Sequence, residues 1–103
     1  MANVFPGEFI TVTTAGASIT TSGTSARVAI PNNSAGELPR YIRVAASAAA
    51  SVRLGGNTIN AATTDTQVQP GDAVIMSTNN MTFLAAIQVS AAGTVQISPL
   101  ENV

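Results

Sequence analysis

Between Tyr41 and Leu54 every even-numbered residue is apolar: Ile42, Val44, Ala46, Ala48, Ala50, Val52 and Leu54. The odd-numbered residues, Tyr41, Arg43, Ala45, Ser47, Ala49, Ser51 and Arg53, include every polar residue of the segment. Successive side chains of a strand point to opposite faces, so this period of two reads as extended chain with the even set inward. A helix competes for the same residues, because alanine favours it and apolar residues also fall at 42, 45, 46, 49 and 52. That helix would leave Val44 and Leu54 off its apolar face. The alternation therefore predicts two strands that meet at a bend near Ser47 to Ala49. No Gly, Asn or Asp is present there for a tight turn, and a register setting residue 42 opposite 54 would oppose Arg43 to Arg53. A bend that carries the chain from one sheet to another, or an offset register, avoids both problems.

The C-terminal third carries turn chemistry. In "VQPGDAVIM", Pro70 and Gly71 suit the central positions of a type II turn, since proline pre-sets φ and glycine accepts a positive value. "MSTNNMTF" reads as a two-residue hairpin turn at Asn79 and Asn80, with 76 paired to 83 and 74 to 85. "QVSAAGTVQI" reads as a three-residue hairpin loop, Ala91, Ala92 and a left-handed Gly93, pairing Val89 with Val95 and Ile87 with Ile97. Together these predict a three-stranded meander from 73 to 98.

Upstream, "FITVTT", "ASITTS" and "ARVAI" are β-branched runs separated by Ala15-Gly16 and Ser22-Gly23. "PNNSAGELP" is a loop, and "GGNTINAATTDTQV" a second one with a short edge strand expected around Thr58 to Ala61. The acceptor pattern for N-glycosylation at Asn32 and Asn80 marks these two loops as exposed. "MANVFPGEF" places Phe5 and Phe9 ahead of the first strand, which suggests a docking arm over 1–10 and a β domain over 11–103. Seven or eight short strands, turns every 8 to 12 residues and no long helical pattern define an all-β sandwich or barrel within one domain of 103 residues.

Composition narrows the chemistry. The chain has no His, Cys or Lys, so the commonest general base, the thiolate nucleophile, Schiff-base chemistry and the usual zinc ligands are missing. Glu8, Glu37, Asp65, Asp72 and Glu101 sit in apparent loops or termini, where a carboxylate is ordinarily solvated. Asp65 and Asp72 flank a loop but lack the dense acidic pattern of a calcium site. No catalytic, cofactor-binding or metal-binding residue is therefore expected, and the chain is read as a non-enzyme.

Arg27, Arg40, Arg43 and Arg53 are the only cations against a net charge of −1, too few for a phosphate-binding surface, so no nucleic acid is expected. No apolar run is long enough for a membrane span, and the first residues lack the basic and apolar regions of a secretory signal. Without cysteine the redox compartment stays open. Tyr41, Arg43 and Arg53 lie on the polar side of the alternating segment and, with Phe5 and Phe9, are the candidate partner-interface residues, because Arg and aromatics dominate interface energetics. A solvated sheet face that discourages edge pairing is the other reading of the arginines.

From Arg40 onward, "YIRVAASAAASVRLGG", "VQPGDAVIM" and "FLAAIQVSAAGTVQISPLE" resemble small structural proteins of tailed bacteriophages, including the capsid decoration, or cement, proteins. The resemblance lies in Ala, Thr and Ser-rich strands, the Pro-Gly-Asp turn and the closing "ISPLE", and brings no catalytic or binding motif with it. It implies a β-sandwich or jelly roll in the virion, made in the host cytoplasm. It also implies binding to the major capsid protein on the outer capsid surface as a homo-oligomer, often a trimer, that reinforces capsomer contacts. A carbohydrate- or receptor-binding β-sandwich of a tail fibre, and a head-completion or tail protein, are the competing expectations.

Overall fold

The computed structural model describes residues 10–11, 16–34 and 36–102. Among them run nine strands and no helix: β1 (Ile10–Thr11), β2 (Ala17–Thr20), β3 (Ala26–Ala29), β4 (Tyr41–Ala46), β5 (Ala50–Gly55), β6 (Thr66–Val68), β7 (Val74–Ser77), β8 (Phe83–Gln88) and β9 (Thr94–Asn102). β1 and β2 follow one another along the same edge of β9, so the first sheet is four strands wide, in the order β1/β2, β9, β4, β7. The second sheet runs β3, β8, β5, β6, and every pairing is antiparallel.

β2 pairs with β9, β3 with β8, β4 with β7 and β5 with β6. The chain thus behaves as one long hairpin whose paired arms pass alternately from sheet to sheet, joined into sheets by the β4–β9 and β5–β8 ladders. This is jelly-roll connectivity.

The alternating segment folds as its period requires. β4 and β5 belong to opposite sheets, the chain crosses at Ser47–Ala49, and Arg43 and Arg53 never face each other. Ile42, Val44, Ala46, Ala50 and Val52 point into the core beside Ile19, Val68, Leu84, Ala86, Val95 and Ile97. A fully buried Val, Leu or Ile contributes about 1.5–3 kcal/mol. The alanines contribute less, but let the sheets approach at the bend. There Gly93 packs on the run itself: a Cβ at Gly93 would stand 2.8 Å from both the Ala48 Cβ and the Ser47 Oγ. At Ala48 the surface that meets the alanine run therefore belongs to the same chain.

That end of the sandwich is laced by hydrogen bonds. Thr21 N–H donates to the Gly93 carbonyl and Gly93 N–H to Thr21 Oγ1, both at 2.8 Å. Ser47 N–H donates to the Thr94 carbonyl at 2.9 Å, and Thr94 N–H to Ser47 Oγ at 2.8 Å.

The 73–98 meander does not form. Asn79 and Asn80 both adopt positive φ, 49° and 64°, and Met81 N–H donates to the Thr78 carbonyl at 2.8 Å, so the two-residue turn is present. It nevertheless joins strands of different sheets: β7 pairs with β4, whereas β8 pairs with β3 and β5. The 76–83 and 74–85 pairs are therefore absent. β8 and β9 are likewise in different sheets, so the pairs 89–95 and 87–97 are absent too. Gly93 is not left-handed: among the described glycines only Gly36 and Gly71 have positive φ. Its smallness is needed for the contact with Ser47 and Ala48 instead. The Pro70–Gly71 turn forms as expected, with Gly71 at φ +82° and Asp72 N–H donating to the Gln69 carbonyl at 3.1 Å.

The edge strand expected at Thr58 to Ala61 is instead β6, at Thr66–Val68. Asn32 and Asn80 are both exposed. Of the arm over 1–10, only Ile10 lies within the described residues, paired with Asn102 in β1.

Candidate interaction surface

The segment 56–65 between β5 and β6 determines how the two outer faces differ. On the outward side of β5 stand Ser51, Arg53 and Gly55, yet Ser51 is fully buried, as is Ala85, which lies opposite Arg53 on β8. The chain leaves β5, crosses the outer face of its sheet to Ser25, just ahead of β3, and returns to β6. Ala61 N–H donates to Ser25 Oγ at 2.7 Å, and Ser51 Oγ donates to the Thr63 carbonyl at 3.1 Å. Ile59 fills the space above Gly55, where a Cβ would meet it at 2.8 Å.

Arg53 fastens the end of this strap. Its Nη2 and Nε donate to Asp65 Oδ1 at 2.7 and 3.1 Å, while Ala62 N–H donates to Asp65 Oδ2 at 2.7 Å. The Ala62 amide first, and the Arg53 side chain second, hold the Asp65 carboxyl below its ordinary value of 3.8, because both bond the ionised form.

Arg53 thus supports the strap on one outer face, while Tyr41 and Arg43 stand on the opposite face of the molecule. The single polar side read from residues 41–54 is divided between two sheets, since the chain changes sheet at the bend. Phe5 and Phe9 lie outside the described residues.

None of the described loops crosses the outer face of the first sheet, although Leu100, which shares that face with Tyr41, is buried. Tyr41, half-buried, lies opposite Ser77 on β7 and Leu100 on β9; Arg43, exposed, lies opposite Ile75 and Ser98. Ile75 is 50% exposed, the most exposed of the large hydrophobic residues described. Among the described residues the single ion pair is Arg53–Asp65, and Arg43 stands exposed beside an exposed isoleucine and a half-buried tyrosine. Ile75 escaped the sequence reading because it sits inside a continuous apolar run, Val74–Ile75–Met76, where periodicity alone cannot separate core from surface.

Elsewhere a hollow of about 460 Å³ lies between residues 38–40 and 77–80. It is lined by Arg40, Asn79 and Asn80 among others. The buried Thr78 hydroxyl on its wall already donates to the Pro39 carbonyl at 2.7 Å, and neither Tyr41 nor Phe83 lines it. Among the described residues no group of acidic side chains is placed to hold a metal ion, and no helix is long and apolar enough to cross a membrane.

Fold and surface together define, among the described residues, an all-β jelly roll with one outer face strapped by 56–65 and a second on which Arg43 and Ile75 are exposed beside Tyr41. The chain matches no protein-family model, no curated protein and no solved structure.

Proposed function

We propose that this protein is a non-enzymatic structural component of a tailed-phage virion, a decoration or cement protein that lays the outer face of its β4 sheet, with Arg43 and Ile75, on the outer surface of the major capsid protein. The observation that carries the reading is the asymmetry of the two outer faces. On one, Arg53 is tied to the 56–65 strap, while on the other Arg43 is exposed beside Ile75 and the half-buried Tyr41. A buried aromatic and an arginine with surrounding apolar area is the composition of an interface anchor, and Arg43 would select an acidic group on the capsid. The strand texture shared with phage structural proteins supports the choice of partner, and a jelly roll is an architecture used in viral capsids.

The experiment is co-sedimentation of the purified protein with capsids that lack it, comparing wild type with Arg43→Glu. Wild type should pellet with capsids and the charge reversal should pellet far less. Equal pelleting of both, or pelleting of neither, would refute this assignment.

A further inference from the structure

The rim formed by β7 differs from the opposite side of the sandwich. There β3 lies against β2, whereas at the β7 side β6 lies over β4. Val74 and Met76, on the core-facing side of β7, are in consequence only partly buried, and Ile75 on the outward side is 50% exposed. β7 is also an edge, "VIMS", with none of the charges or prolines that usually protect one.

Its free backbone groups can be located. Thr78 N–H donates to the Arg40 carbonyl at 2.9 Å, and on the other side of β4 Ser47 N–H donates to the Thr94 carbonyl. In an antiparallel ladder the bonded direction alternates, so Val74 and Met76 bond toward β4 while Ile75 and Ser77 direct N–H and C=O to the open edge.

We propose that this edge receives a second copy of the same chain, β7 against β7 in antiparallel pairing about a two-fold axis at Ile75. Ile75 then exchanges both backbone hydrogen bonds with Ile75 of the second copy, and Val74 lies opposite Met76. Outward residues meet outward residues and core-facing residues meet core-facing ones, so the first sheet continues through the pair. A register shifted by one residue would oppose a core-facing side chain to an outward one.

Charge fits the same register. Asp72 comes opposite Thr78 of the second copy, whose own neighbour across β7 and β4 is Arg40. Asp72 and Arg40 are both exposed and neither forms an ion pair among the described residues. The two-fold thus sets an Asp72 carboxylate within about 10 Å, two strand spacings, of an Arg40 guanidinium at each end of the contact, a long-range attraction that is self-complementary. The proposal concerns self-association and does not rest on the capsid assignment.

Sedimentation equilibrium of the full chain over a concentration series, without capsids, tests it. The mass should rise toward twice the 10.4 kDa of the chain. Ile75→Lys, which sets two ammonium groups against each other on the axis, should hold it at one chain. Asp72→Arg should weaken association several-fold, and adding Arg40→Asp should restore it. The Ile75 amide, read by hydrogen exchange, should become protected as concentration rises. A monomer at every concentration, a trimer, a dimer indifferent to Ile75→Lys, or a charge swap without rescue would each overturn the proposal.

Discussion

Arg53 and Asp65 join two separate parts of the second sheet's outer surface: both donating nitrogens of the guanidinium converge on Asp65 Oδ1, at 2.7 and 3.1 Å, and so fix the end of the 56–65 strap to β5. The carboxyl's folded value lies below 3.8, so the unfolded chain takes up this proton at higher pH than the folded one. The stabilisation it supplies is complete above that value and declines as pH falls through the lower, folded one. Amide exchange at Ala62, measured at decreasing pH after correction for intrinsic rates, should speed up in that acid window. Asp65→Asn should remove the pH dependence.

Gly93 tests the close approach at the bend. Gly93→Ala should destabilise the fold by about 1–3 kcal/mol, because the new Cβ meets Ala48 and Ser47 at 2.8 Å and the Ala48 backbone nitrogen at 3.0 Å. Gly56→Ala, where the added Cβ meets nothing within 4 Å, should change stability by no more than about 0.5 kcal/mol. Urea unfolding of the two variants reads the difference.

Thr78 joins the turn after β7 to the segment before β4. Its buried hydroxyl donates to the Pro39 carbonyl at 2.7 Å, so Thr78→Val should cost about 1–3 kcal/mol by leaving that carbonyl without its partner. Leu84→Ala, in the fully buried centre of β8, should cost about 2–5 kcal/mol through the lost transfer energy and the cavity. Thermal unfolding should rank Leu84→Ala as the more damaging change.

Strand pairing is tested by cross-linking, since the chain has no native cysteine. Ser18 and Gln96 are directly opposite on β2 and β9, in a pair that does not exchange backbone bonds, so their Cα atoms are close enough to bridge. Ser18→Cys with Gln96→Cys should oxidise to an intramolecular disulfide. Met76→Cys with Phe83→Cys, the pair a hairpin at Asn79–Asn80 would create, should not.

These pairings also mark where the sequence stops being legible. The alternation from Ile42 to Leu54 identified both strands, their inward faces and the bend between them, because strand parity is local, and left a crossing between sheets and an offset register both open at that bend. The turn residues Asn79, Asn80 and Gly71 have the positive φ expected of them for the same reason. Which sheet a strand joins after its turn is a tertiary matter, and the turn at Asn79–Asn80 is compatible with a hairpin or a crossing. The strap was hidden for a different reason: "NTINAATTD" has neither period, and its fixed course depends on Ser25, Ser51 and Arg53 elsewhere in the chain. Ser51 shows the consequence, as a polar residue expected outward and in fact buried under the strap.

The face bearing Tyr41, Arg43 and Ile75 is the centre of the functional account, and capsid co-sedimentation tests it most directly. Wild-type protein should pellet with capsids lacking it, Arg43→Glu and Tyr41→Ala should pellet markedly less, and Arg53→Ala, on the strapped face, should pellet as wild type does. Binding that survives the first two changes, or fails only with Arg53→Ala, would contradict the assignment of this face.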